Sequence, residues 1–189
     1  MNVVKLMAAA AIGLAAAPSS AANFEGATVS AALYCCVAPT DPYRVSDVLS
    51  ETVDDLVEFP VSSFTFVSDG TTWDEGEIDI GASSIRLDLY DSGVTRSGTF
   101  NGFVFSFSQA PVIAQVSVDP TSTVVPTTVS FTENSVLLHV SDVPYVAGDH
   151  LTLNVVFAPV PEAGPGALLA AGLLLLVGRV RSRRSRAGR

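Results

Sequence analysis

Apolar and polar residues alternate with a period of two through much of the chain between residues 23 and 158. Within 27–33 the odd positions are apolar: Ala27, Val29, Ala31 and Leu33. The same pattern recurs at Ile85, Leu87 and Leu89, and at Phe103, Phe105 and Phe107. It returns at Val136, Leu138 and Val140, and at Leu151, Leu153, Val155 and Phe157. Period two with one polar face marks half-buried antiparallel strands. Weaker strand signals cover 44–58, 61–67, 77–80, 112–118 and 124–131. Turn residues separate the runs: Ser68-Asp69-Gly70, Asp91-Ser92-Gly93, Asp119-Pro120 and Ala147-Gly148-Asp149. Asn101-Gly102 between two apolar runs predicts a tight hairpin. The predicted fold is all-β, an antiparallel β-sandwich, with a barrel as the alternative. One stretch reads two ways. Asp47, Glu51 and Asp54 are spaced as on a short helix over 45–56, whereas Val45, Val48 and Val53 favour a strand. Residues 117–135 are rich in Ser, Thr and Pro but also alternate, so they read as strand and loop.

The pattern fails at both ends. Lys5 precedes twelve apolar residues (6–17), a Pro-Ser-Ser break at 18–20 and small residues suited to signal peptidase. This predicts a signal peptide over 1–22, engaging the Sec export machinery and signal peptidase. Residues 164–178 form a second uncharged run, apolar all round. A helix over 164–180 is about 25 Å long, a little short of a hydrocarbon core of about 30 Å. Arg179, Arg181, Arg183, Arg184, Arg186 and Arg189 follow it. Their charge holds that end in the cytoplasm, which predicts a single transmembrane helix with the body outside. The 189 residues thus divide into 1–22, an all-β body 23–158 and an anchor segment 159–189.

Charge sharpens the division. The body holds eighteen acidic residues, three arginines and no lysine, a formal charge of −15. Such a surface repels phosphate backbones and excludes nucleic acid as a partner. Asp69, Asp74, Glu75, Glu77 and Asp79 fall within eleven residues around Gly70 and Gly76. Clustered carboxylates are the chemistry a Ca²⁺ site needs, although EF-hand spacing is absent. The plain alternative is a solvated acidic face that keeps a sheet edge soluble. Trp73, with Tyr43 and Tyr90, is a candidate sugar-stacking surface. Cys35 and Cys36 are the only cysteines. Three states are open to them: unpaired, a vicinal disulfide, or bridges to another molecule. Neither histidine, His139 or His150, belongs to a hydrolase or metalloprotease motif, and no P-loop or Gly-x-Ser-x-Gly occurs.

Pro161 and Glu162, the Gly-, Ala- and Leu-rich span and the terminal arginine cluster together resemble the PEP-CTERM sorting signal of Gram-negative bacteria. The sequence departs from the usual motif at Ala163, where a second proline is the rule. The resemblance implies recognition by an exosortase, a membrane protease cutting near Pro161-Glu162. It also implies export, anchoring in the inner membrane before processing, and then the cell surface or the extracellular space. Residues 79–87, 100–105 and 129–136 resemble pieces of a recurrent group of PEP-CTERM exoproteins, which implies an all-β exported domain and transfers no catalytic residue. The expected function is a non-catalytic, membrane-tethered β-sandwich protein of the envelope or extracellular matrix, with no cofactor. The alternative is a Ca²⁺-assisted carbohydrate or exopolysaccharide binder; an envelope hydrolase ranks third.

Overall fold

A computed structural model describes residues 22–159. The signal segment up to Ala21, Pro161-Glu162-Ala163, the apolar span and the six tail arginines lie outside the described residues. Eleven strands follow one another: β1 (Thr28–Cys35), β2 (Leu49–Thr52), β3 (Gly76–Gly81), β4 (Ser84–Leu89), β5 (Gly93–Val94), β6 (Asn101–Ser108), β7 (Ile113–Val118), β8 (Thr128–Phe131), β9 (Ser135–His139), β10 (Pro144–Tyr145) and β11 (His150–Phe157). Among the described residues there is one 3-10 turn, Asp41–Tyr43, no α-helix, and no helix long and apolar enough to cross a membrane.

Every ladder is antiparallel. One sheet runs β2-β1-β6-β9-β8, the other β3-β4-β11-β7, and β10 pairs with β5 in a small ribbon. The two large sheets do not close into a barrel, which removes that alternative. They share one core. Val29 and Ala31 of β1, the three phenylalanines of β6, and Val136 and Leu138 of β9 face Ile78, Ile80, Ile85, Leu87, Leu151 and Leu153. Register makes these into rows: Ala31 opposes Phe105, which opposes Val136, while Ile78 opposes Leu87, which opposes Leu151. Alternation in the sequence therefore becomes alternation of inward and outward side chains on each strand.

Phe24 plugs one end of the sandwich. It is fully buried, stacks on Phe107 at 4.1 Å between ring centroids, and meets Phe157 edge-on at 4.8 Å. Its N–H donates to the Ala82 carbonyl. Phe24 lies just past the predicted signal-peptide boundary, so the first residues of the body are already part of its core.

Of the two readings of 45–56 the strand holds, with Ser30, Val29 and Thr28 of β1 paired to Ser50, Glu51 and Thr52; other expectations change. The strand expected over 44–58 shrinks to β2, and 61–67 makes only isolated bridges, Ser46 with Phe66 and Thr65 with Thr72. Asn101-Gly102 is not a hairpin turn but the first two residues of β6, opposite His139 of β9. Gly102 has φ +151°, and a Cβ there would run into the Leu138 carbonyl. The glycine serves close strand approach rather than a reversal of the chain.

An acidic residue stitches the irregular 53–75 segment to β3. Glu58 is 7% exposed; its carboxylate accepts from the Ile80 N–H at 2.7 Å and from the Asp54 N–H at 3.1 Å. Burial raises its pKa, and these hydrogen bonds oppose the rise.

Two substitutions test this architecture. Gly102→Ala should destabilise the body by about 2–3 kcal/mol through the β9 clash, read as a lower urea midpoint at unchanged slope. Glu58→Ala should cost about 2–3 kcal/mol, because the buried Ile80 N–H and the part-buried Asp54 N–H lose their acceptor; a loss under ~1 kcal/mol would show that Glu58 stitches nothing.

Candidate functional site

The sheets separate at the end where β1 finishes and β6 and β11 begin. A cavity of about 550 Å³ opens there, within the size range of small-molecule sites. Leu33 of β1, Phe103 of β6, Leu87 and Leu89 of β4, and Leu151 of β11 supply apolar wall from both sheets. Val140 and Val143, in the crossing between β9 and β10, extend it. The irregular segment brings in Phe66, Trp73 and Glu75.

Aromatic packing sets the cavity's polar edge. Trp73 is 6% exposed and packs edge-on against Phe103 at 5.2 Å and Phe64 at 6.1 Å. That contact aims its indole Nε1–H at the Glu75 carboxylate, 3.2 Å away. Tyr145 approaches from β10. Burial first, and then the nearby Glu75 carboxylate, push its phenol up to about 12. Gly93 of the paired β5 makes room for this ring, since a Cβ there would lie 2.9 Å from the Tyr145 hydroxyl. Asp69 and Thr71 lie on the lining, and Arg96 is its only basic residue. The Arg96 carbonyl accepts from Asn101 Nδ2 at 2.9 Å, fixing the backbone at that point. Among the described residues the only ion pair is Arg86 with Asp88, so neither Arg96 nor Glu75 is neutralised.

The five candidate Ca²⁺ carboxylates do not converge among the described residues. Asp69 accepts from the N–H and hydroxyl of its own neighbour Thr71, and these bonds hold its pKa below the ordinary value. Asp74 is exposed, and Glu75 turns to the cavity. Glu77 accepts from the exposed Tyr90 hydroxyl at 2.6 Å. Asp79 stands opposite Arg86 on the outward face of β3; burial, then Asp88 and Glu77, raises its pKa. Among the described residues no three His, Cys, Asp or Glu side chains converge as a metal site would require. The sugar-stacking surface is not formed either: Trp73 is inside, whereas Tyr43 and Tyr90 are exposed.

Cys35 and Cys36 are joined in a vicinal disulfide, the second of the three states open to them. The Cys36 carbonyl accepts from the Thr99 N–H, and Cys35 lines the cavity. His139 is structural. It stacks on Phe100 at 5.3 Å, and its Nδ1 accepts from the Asn101 N–H at 3.0 Å. Sequence patterns point to Glu75 for the wrong reason and miss Tyr145 and Arg96 altogether, because these residues belong to separate loops and a two-residue strand. Compared with protein-family models, with curated proteins and with solved structures, the chain matches none of them.

The Tyr145 environment has a pH signature. A phenol whose folded pKa is raised from 10.0 to about 12 contributes stability that is fully present below pH 10 and lost as pH climbs towards 12. Tyr90 is raised likewise, chiefly by its hydrogen bond to Glu77. Tyr145→Phe should flatten the alkaline fall in melting temperature, and adding Tyr90→Phe should flatten it further. An alkaline limb identical to wild type in both variants would show that neither phenol is held protonated by the fold.

Proposed function

We propose that the chain is an exported, non-catalytic envelope or matrix protein, tethered to the inner membrane by its C-terminal span and released by exosortase cleavage near Pro161-Glu162. The order Pro-Glu, apolar span and arginine cluster carries the reading. The end of the folded body supports it. β11 lies inside its sheet between β4 and β7 and ends at Phe157. The Ala158 N–H to the Val112 carbonyl closes the pairing with β7. A cut near Pro161-Glu162 therefore removes no strand and no core residue of the described body. Removal of the tail strips six arginines and leaves an acidic product, which its own charge keeps dispersed.

Carbohydrate binding assisted by Ca²⁺ has less behind it: the five candidate carboxylates do not converge among the described residues, and Trp73 is buried. Intact-mass measurement on protein from the native host tests the processing. The expected dominant species begins near Asn23, ends near Glu162 and melts in a single transition. A dominant species that retains the span and the arginine tail would overturn exosortase release and leave a permanent type I membrane anchor.

A further inference from the structure

We propose that the inter-sheet cavity binds an organic ammonium ion with a compact apolar body, its nitrogen paired with the Glu75 carboxylate. This goes beyond export and processing, and either can fail without the other.

Volume and wall chemistry define the apolar part of the ligand. Within the cavity of about 550 Å³, the wall made by Leu33, Leu87, Leu89, Phe103 and Val143 gives a hydrocarbon or aromatic body a matching surface. Glu75 defines the head group. Its hydrogen-bond partner among the described residues, the Trp73 indole, is a neutral donor. It orients the carboxylate without cancelling its charge, and no ion pair reaches Glu75 from the described residues. A carboxylate accepts up to about four hydrogen bonds, so room remains for a charged donor. Placed beside Glu75, an ammonium group supplies the missing countercharge and charge-assisted hydrogen bonds. A neutral hydroxyl supplies only a hydrogen bond, and a carboxylate is repelled.

Long-range electrostatics agree. The body carries −15, and Asp69 places a second carboxylate on the same lining. Such a field concentrates cations at the mouth and lowers the local level of anions. Arg96 supplies the competing chemistry. It is exposed on the lining and would favour an anionic head group in its place. The two assignments predict opposite orders of affinity for one isosteric series.

Calorimetric titration of the exported protein isolated from its native cells tests this with 2-phenylethylammonium, 2-phenylethanol and 3-phenylpropionate. The expected order places the ammonium first, with the alcohol weaker by about tenfold or more. Glu75→Gln keeps an acceptor for Trp73 while removing the charge, and it should bring the ammonium down to the level of the alcohol. Val94→Trp, a change at an exposed position on the lining, should weaken all binding by filling the cavity. Ammonium and alcohol of equal affinity in wild type would overturn the proposal in favour of a purely apolar hole. Preferential binding of the carboxylate, lost in Arg96→Gln, would overturn it in favour of an anion site. No binding by any of the three would overturn it outright. The wild-type series decides between these outcomes even if Glu75→Gln does not fold.

Discussion

Three phenylalanines at alternate positions of β6 tie the body together. β6 lies in the middle of its sheet, flanked by β1 and β9, so Phe103, Phe105 and Phe107 project into the centre of the space between layers. Burying each is worth roughly 2–3 kcal/mol. Their reach is wider than their own strand. Phe107 receives Phe24 and so secures the start of the body. Phe103 receives Phe64 and Trp73, which hold an otherwise strandless segment against the sheet. Because Trp73 in turn aims its indole at Glu75, the charged edge of the cavity depends on the same aromatic row.

Local alternation was enough to read the strands that form the two inner faces. Val29, Ile85, Phe105, Leu138 and Leu153 all face inward as their period predicts. Period says nothing where the chain is buried without pairing. Phe59, Phe64 and Trp73 are core residues at irregular spacing, and each enters the core from a loop whose hydrogen bonds go to isolated bridges. Gly102 misled for a different reason: glycine marks both a turn and a close strand contact, and only the partner strand tells the two apart. The acidic run around Asp69 to Asp79 misled because sequence proximity is not convergence. Once 76–81 becomes a strand, Glu77 and Asp79 share its outward face, while Asp69 is tied to Thr71 and Glu75 faces the cavity, so the five do not meet at one point. The cavity was illegible because its walls come from both sheets and from loops that meet only in the folded chain.

Charge on the body is organised by the same pleat. β3 is an edge strand whose outward residues, Glu77 and Asp79, stand beside Asp88 and Arg86 of β4. Arg86 takes Asp88 in a two-point pair at 2.6 Å for each bond and leaves the edge acidic. A charged edge resists pairing with a second sheet, and the 58–59 segment already takes the Ile78 and Ile80 N–H groups. Glu75, just before β3 begins, lies on the cavity lining instead, as Asp69 does.

The contact of Phe24 with Phe157 has a vectorial consequence. Those rings bring the first and last segments of the body to the same pole of the sandwich. The cavity lies at the opposite pole, where β1 ends and β6 and β11 begin. Eight-residue strands separate the poles by roughly 20 Å. Both ends of the described body therefore leave from the pole that the opening does not occupy, so chain joined at either end does not start across its mouth.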